Sequence, residues 1–467
     1  MTSSNQLRIA FIEETTFGST PTSPNMLTIN STGHGLGNQN KFDQDPTIRS
    51  DRNVTDLVRM DRTAGGSINY ALRYSPSAGA ESTLMRYALQ SGTEVAGSGL
   101  QTGGTANAFS PITTSITAGP PSFFTATAVH GLAVNDVVRF TNTGGTLPTG
   151  LSLLTDYYIT TVVSTTVAQF SVSLGGSPVV LVASTGTGTH YITQQINKVT
   201  LVDVTGLAAG DIVRVRTSLD ALLGYFPIVS IASLVITIEG TLAASQTGLK
   251  VVRGAKMKNG TTQKSMSVEI GYTNTGLYEV FPGCVVDGMD FSVATEQMIT
   301  GSYTIIGKAG SGVSMSIISG ASYTAASTSP VMEAVDHIPN FRVGSVNYAA
   351  RSISVNIANG GEAQKAIGTL GVTAVRSGTF TVKGQIACYF SSIVEYNKMI
   401  AATTSSFLMV TQDTAGNAYT WYMPTVKYGG VSVPVSGQDT DVIMTLDYQA
   451  IYNSTIAATI LVQRFDN

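Results

Sequence analysis

The four histidines, His34, His130, His190 and His337, are where acid–base or metal chemistry would be sought first. None stands at short spacing from another His or from a Cys, the pattern a zinc site requires, so no metal is expected. His337 follows Glu333 and Asp336 in what reads as a mixed, solvated loop. Asp43, Asp45 and Asp51 superficially suggest a calcium loop, but its central Gly and closing Glu are absent. There is no Gly-x-Ser-x-Gly elbow and no phosphate-loop Lys. A glycan hydrolase needs two carboxylates facing each other across a groove. The 29 acidic residues offer no focal pair for that. Cys284 and Cys388 lie inside apolar runs and read as buried thiols in a reducing compartment. Catalytic residues and cofactor are both expected to be none.

Composition points the same way. Of the 467 residues, 43% are hydrophobic and 12% charged, about half the usual charged fraction, and 48 are Gly. Many β-branched residues and glycines with little charge favour short strands joined by tight turns over long helices. The net charge of −3 leaves no basic field to grip nucleic acid through its phosphates. A large, apolar, weakly charged chain must hide its surface or associate. No apolar run approaches a membrane span. Residues 1–18 lack a basic head followed by an apolar stretch, so folding in cytoplasm without a signal peptide is expected.

The elements that would carry any site repeat. Gly131, Leu132, Ala133, Asp136, Val138 and Arg139 recur as Gly206, Leu207, Ala208, Asp211, Val213 and Arg214. No helix follows either copy, so the Gly-Leu-x-x-x-Asp step reads as a turn feeding a strand rather than a phosphate loop. Residues 106–255 therefore read as a pair of small β modules. A longer repeat surrounds them. Alternation from Gly66 to Tyr74 predicts a strand, and 378–386 predicts another. Each leads into a short helix, over 81–90 with Gly92 as a stop and over 392–402. A hairpin follows each, turning at Asn274-Thr275-Gly276 and at 413–417. Tyr278, Phe281, Val285 and Gly288 then fall in register with Tyr419, Tyr422, Val426 and Gly429, and closing strands are predicted over 301–306 and 442–448. The order strand, helix, hairpin, closing strand thus occurs twice, over 1–105 with 256–308 and over 330–467. Residues 309–329, rich in Gly, Ser, Ala and Thr, read as a linker.

One segment stands apart. Lys41, Asp43, Asp45, Arg49, Asp51, Arg52, Asp56, Arg59, Asp61 and Arg62 crowd 22 residues of a chain otherwise poor in charge. Mixed signs suit docking onto a copy of the same protein, and equally suit a solvated hairpin loop.

The opening Arg8-Ile9-Ala10-Phe11-Ile12-Glu13-Glu14-Thr15-Thr16-Phe17-Gly18-Ser19-Thr20-Pro21 resembles the start of tail tube (major tail) proteins of siphoviruses, the bacteriophages with long, non-contractile tails. Ile48-Arg49-Ser50-Asp51-Arg52 and Arg62-Thr63-Ala64-Gly65-Gly66-Ser67-Ile68 are similar to the same family. The module with His130-Gly131-Leu132 and Tyr157-Tyr158-Ile159 resembles one common in phage structural proteins. The resemblance implies a mainly β fold: two tandem tail-tube-type β-sandwich or barrel domains, each with one short flanking helix, plus the inserted modules as outward-facing decoration. It implies a structural subunit of the virion tail, assembled in the host cytoplasm, and no enzyme. Two tube domains per chain would give homotrimeric, pseudo-hexameric rings. Stacked rings would form the conduit for genome ejection, with DNA passing through the lumen unbound. The ten charged residues are the candidate ring-to-ring contact, by resemblance to a long loop of the family. Tape measure and tail-end proteins are further implied partners. The competing reading is another phage β protein, for decoration or receptor binding, that holds host glycans through its inserted modules.

Overall fold

Side chains of a strand point alternately to opposite faces, so the alternating stretches of this chain become sheets with one apolar and one polar face. The computed structural model describes residues 6–48, 51, 53–106, 111–153, 155–173, 175–184, 186–242, 246–344, 346–390, 394–434, 437–438 and 441–467. It is mainly β, with two short helices among the described residues. Two compact units result, one of Met1–Ala96, Ala255–Phe341 and Asn347–Asn467, the other of Gly97–Gly254 with Arg342–Val346. The two halves read from the sequence as tube-type domains lie together in the first unit.

The first unit opens with β1 (Leu7–Glu13), β2 (Asn25–Ile29), β3 (Ser31–His34), β4 (Gly37–Gln44), β5 (Leu57–Ala71) and helix α1 (Ala80–Ala88). It resumes with β6 (Ser265–Tyr272), β7 (Leu277–Ala294), β8 (Thr300–Gly307), β9 (Ala350–Ala358) and β10 (Thr381–Tyr389). Helix α2 (Val394–Ile400), β11 (Ser405–Gln412), β12 (Ala418–Ser432), β13 (Ile443–Ala450) and β14 (Leu461–Phe465) follow, beside shorter strands such as Ala255–Lys258. Antiparallel ladders join eight of these in the path β3–β5–β8–β7–β9–β10–β13–β12.

The same pairing order occurs on both sides of the β7–β9 ladder. β6 and β7 form a hairpin, β7 then pairs with β8, and β8 with β5. β11 and β12 form a hairpin, β12 then pairs with β13, and β13 with β10. The two long strands change partner at corresponding valines. Val285 faces Ser265 of β6 and Ile306 of β8, and Val426 faces Ser405 of β11 and Ala450 of β13. Each ladder shifts register just beyond, between Val286 and Gly288 and between Tyr428 and Gly430. Such a bulge sharpens the strand's twist, which lets one long strand serve two layers. The inner faces meet in an aromatic core, where Phe291 of β7 lies 4.6 Å from Trp421 of β12 and Phe407 lies 5.3 Å from Tyr448 between ring centroids.

Both helices end alike. Gln90 follows α1 with φ of 48°, its N–H bonded to Tyr87 O, while Ser91 N–H reaches Arg86 O. Ala402 follows α2 with φ of 51°, bonded to Met399 O, with Thr403 N–H on Lys398 O. These are Schellman closures in which a non-glycine residue takes the left-handed position. The stop expected at Gly92 is therefore made two residues earlier. The start of the second predicted helix, 392–393, falls outside the described residues.

Residues 309–329 are laid along the sheet. Val313–Ser314 pairs with β7, and Ser322–Thr324 runs parallel to β2. Buried Glu269 holds this stretch, accepting from Ile318 N–H at 3.1 Å, Tyr323 Oη at 2.6 Å and Arg8 at 3.0 Å.

The second unit has two cores. Phe124, Phe140, Tyr157 and Phe170 centre one, and Val213, Phe226, Ile236 and Val251 the other. The strand Thr189–Thr200 serves both, pairing first with Val137–Thr143 and then with Val235–Leu242. The repeated acids close the expected turns. Asp136 Oδ2 accepts Ala133 N–H at 2.9 Å, and Asp211 Oδ2 accepts Ala208 N–H at 3.0 Å.

Candidate assembly surfaces

β4 and β5 pair from Gly37–Gly65 out to Gln44–Leu57 and form a two-stranded arm. Most of the charged candidates lie on it. At its tip the acids shape the turn. Asp45 accepts Thr47 N–H at 3.0 Å, Thr47 Oγ1 at 2.6 Å and Thr55 Oγ1 at 2.9 Å. These bonds, led by the Thr47 hydroxyl, hold its carboxyl below the usual range. Asp43 and Asp56 accept the N–H groups of Gln44 and Leu57, and Asp51 that of Asn53. Lys41 stands opposite Asp61 across the ladder, and Arg59 opposite Phe42. At the root, buried Asp61 pairs with Lys365, whose ammonium depresses its pKa, and Arg62 donates to Gly310 O at 2.8 Å. Asp61 and Arg62 are thus engaged by their own chain. Arg49 and Arg52 lie outside the described residues.

What charge counting missed is apolar. Phe42, Leu57, Val58 and Met60 are each about half exposed on the arm, with Ile48 and Val54 near its tip. A two-stranded ribbon is marginal alone in water, and one carrying this much bare apolar surface calls for a partner. A signal existed in the sequence: Leu57-Val58-Arg59-Met60 does not alternate, so neither face of this strand is consistently polar.

The outer face of the eight-stranded path is polar. Asn69, Ser302, Ser292, Asn356, Gln385 and Gln449, on six successive strands, alternate with buried apolar neighbours. Its charges are mixed, Asp290 and Asp447 beside Lys383 and Lys427. A shallow groove of 460 Å³ on this face is lined by Thr32, Asn69, Asp290, Ser292, Ser354 and Asn356 among others. Asp290 is the one carboxylate lining it, so no facing acid pair is built there. At one end the hairpin Glu362–Gln364 with Ala374–Arg376 covers the sheet, with Val372 and Val375 packed on Val285 and Ile306.

The residues first considered for chemistry have structural duties. His337 is buried, not solvated, and its Nδ1 accepts Glu333 N–H at 3.1 Å, because the loop folds onto its own acid. His130 Nδ1 accepts Leu132 N–H at 3.0 Å. Burial raises the pKa of both free thiols, Cys284 and Cys388. Among the described residues no group of three or more His, Cys, Asp or Glu could hold a metal ion, and no helix is long and apolar enough to cross a membrane.

No curated protein matches the sequence. A family model described as phage tail tube protein matches residues 4–450, nearly the whole chain. The chain therefore belongs to the phage tail tube protein family, as a structural component of the virion tail that assembles with copies of itself into a tube.

Proposed function

We propose that three copies close into a ring of six pseudo-equivalent halves, that rings stack into the tube of a long, non-contractile tail, and that the bore conducts the genome during ejection. The pairing order that occurs twice along one eight-stranded path carries this reading. The halves are 1–105 with 256–308 and 330–467, joined by 309–329, while 106–255 forms modules with sheets and cores of their own. Three chains would bring twenty-four strands. At about 4.8 Å per strand the circumference is roughly 115 Å, and the barrel about 37 Å across between backbones before strand tilt widens it. That leaves room for a DNA duplex inside a layer of side chains. The polar sheet face would line the bore. Amides and hydroxyls with balanced charges offer phosphates little to hold, so a polyanion can slide past. The arm would make the ring-to-ring contact, through Lys41, Asp43, Asp45, Asp51, Asp56 and Arg59 and through the apolar side chains between them.

Negative-stain electron microscopy with mass determination of single rings tests this. Stacked rings of three-chain mass are expected. Tubes with six chains per ring would keep the structural role and sink the two-half ring, and a chain that stays monomeric at high concentration would sink the assembly itself.

A further inference from the structure

We infer that the hairpin over 362–376 is the second half's counterpart of the arm, folded back as a brace, and that Lys365 is the residue that aims the arm at the next ring. The inference rests on the arm reading above and adds that a ring of three chains projects three arms rather than six.

Position and backbone carry the equivalence. β5 leads into α1 and β10 into α2, and each pairs antiparallel with an earlier strand, β3 and β9. The arm leaves the sheet between β3 and β5, and the hairpin leaves it between β9 and β10. Both projections are pinched at the root by two glycines. A Cβ at Gly66 would sit 2.1 Å from Gly35 O, and one at Gly378 2.3 Å from Gly360 O. Backbones this close admit only glycine. A hydrogen bond closes each neck, from Gly35 N–H to Ser67 O at 2.8 Å and from Gly378 N–H to Asn359 O at 2.9 Å. The first neck encloses 36–65, the second only 361–377.

The longer projection extends as the arm, and the shorter one lies down on its own chain. Val372 and Val375 pack on Val285 and Ile306, Gly361 N–H donates to Asp287 Oδ1 at 2.5 Å, and Ser377 Oγ accepts from Gln90 at 2.8 Å and from Gln263 at 3.2 Å. The hairpin loop then reaches the root of the arm. The Lys365 ammonium pairs with the Asp61 carboxylate, and Gly371, with φ of 89°, comes so near that a Cβ there would lie 2.9 Å from Arg62 O. The apolar side chains Phe42, Val58 and Met60 lie farther out along the arm than this tie. A two-stranded ribbon has little stiffness of its own. Fixing its base removes orientational freedom that docking would otherwise have to remove, so the arm is presented preorganised. Lys365 is thus a positioning residue, which acts on the contact through Asp61.

Hydrogen exchange and stacking of the full chain carrying Lys365→Ala test the brace. The lysine is half exposed, so the variant should fold, melt close to the wild type and form rings of unchanged mass. Amides of 57–61 should exchange about two- to threefold faster in the unassembled variant. The same loss at each of three arms should compound to roughly tenfold weaker stacking. Lys365→Arg keeps a cation for Asp61 and should restore both. Should Lys365→Ala unfold, Lys365→Gln is read in the same way. A folded variant with wild-type exchange over 57–61, or with wild-type stacking, would overturn the brace and leave the arm's role standing. Normal tubes from a chain with Ser at Phe42, Val58 and Met60 would overturn the arm reading itself.

Discussion

Single residues in this chain serve to hold backbone in place, and their titration should reflect that. The Asp61 carboxyl is held low chiefly by Lys365. A depressed folded-state pKa contributes stability above the unfolded value near 3.9, and loses it as pH falls through the depressed one. Melting of the unassembled chain should therefore lose a contribution of about 0.5 kcal/mol below roughly pH 4, the discounted worth of a pair whose lysine is half exposed. Asp61→Asn should flatten that part of the profile, and an unchanged acid limb would count against the pairing. The thiols make a second case. Burial pushes the Cys284 and Cys388 pKa values up, and only the thiolate attacks. Neither should label with maleimide in the native chain at neutral pH, and both should label in denaturant. The expectation of buried thiols came from the apolar runs around each cysteine. That His337 is also buried could not be read from its mixed neighbourhood, because the segment held against it is distant in sequence, with Gln412 N–H bonded to His337 O at 2.9 Å.

At the level of elements, glycine decides how closely the strands approach. Gly384 of β10 faces Tyr448, whose hydroxyl crosses it to donate to Ser354 O at 2.9 Å on β9. Gly301 of β8 faces Tyr70, which reaches Asp290 O on β7 at 3.1 Å in the same manner. A Cβ at Gly384 would sit 1.9 Å from Ser354 O, and one at Gly301 2.0 Å from Asp290 O, both backbone atoms that cannot swing aside. Gly384→Ala and Gly301→Ala should each cost about 1–3 kcal/mol, read from denaturant midpoints of the unassembled chain. Midpoints that stay within error would refute the close approach. Both hairpins and both closing strands could be placed from alternation and turn residues, and Val285 and Val426 already aligned. The helix ends could not, because Gln90 and Ala402 adopt left-handed φ under the pull of Schellman hydrogen bonds rather than from their own preference.

For the whole molecule, the proposed ring-to-ring contact of the arm makes a prediction about whether rings become a tube. Ser in place of Phe42, Val58 and Met60 together should leave ring mass unchanged and prevent stacking, since each side chain contributes about 1.5–3 kcal/mol when fully buried. Ala in place of Lys41, Asp43 and Arg59 should instead alter the salt dependence of stacking, because exposed charges are screened. Tube lengths measured by electron microscopy separate the two. Normal tubes from the apolar variant would remove the arm from ring-to-ring contact.

The sequence by itself determined the β-rich class, the Asp-closed turns after Gly131 and Gly206, the family and the twice-occurring order of elements. All of these rest on local patterns, with side-chain alternation of period two, turn chemistry within four residues and short motifs. Only the tertiary structure decided that both halves share one sheet, that residues 309–329 are clamped by Glu269, and that the charged segment is an arm whose root is tied down and whose bare surface is apolar. Those features depend on pairings between residues tens to hundreds of positions apart, and a strand's own residues do not record which neighbour, if any, takes its second edge.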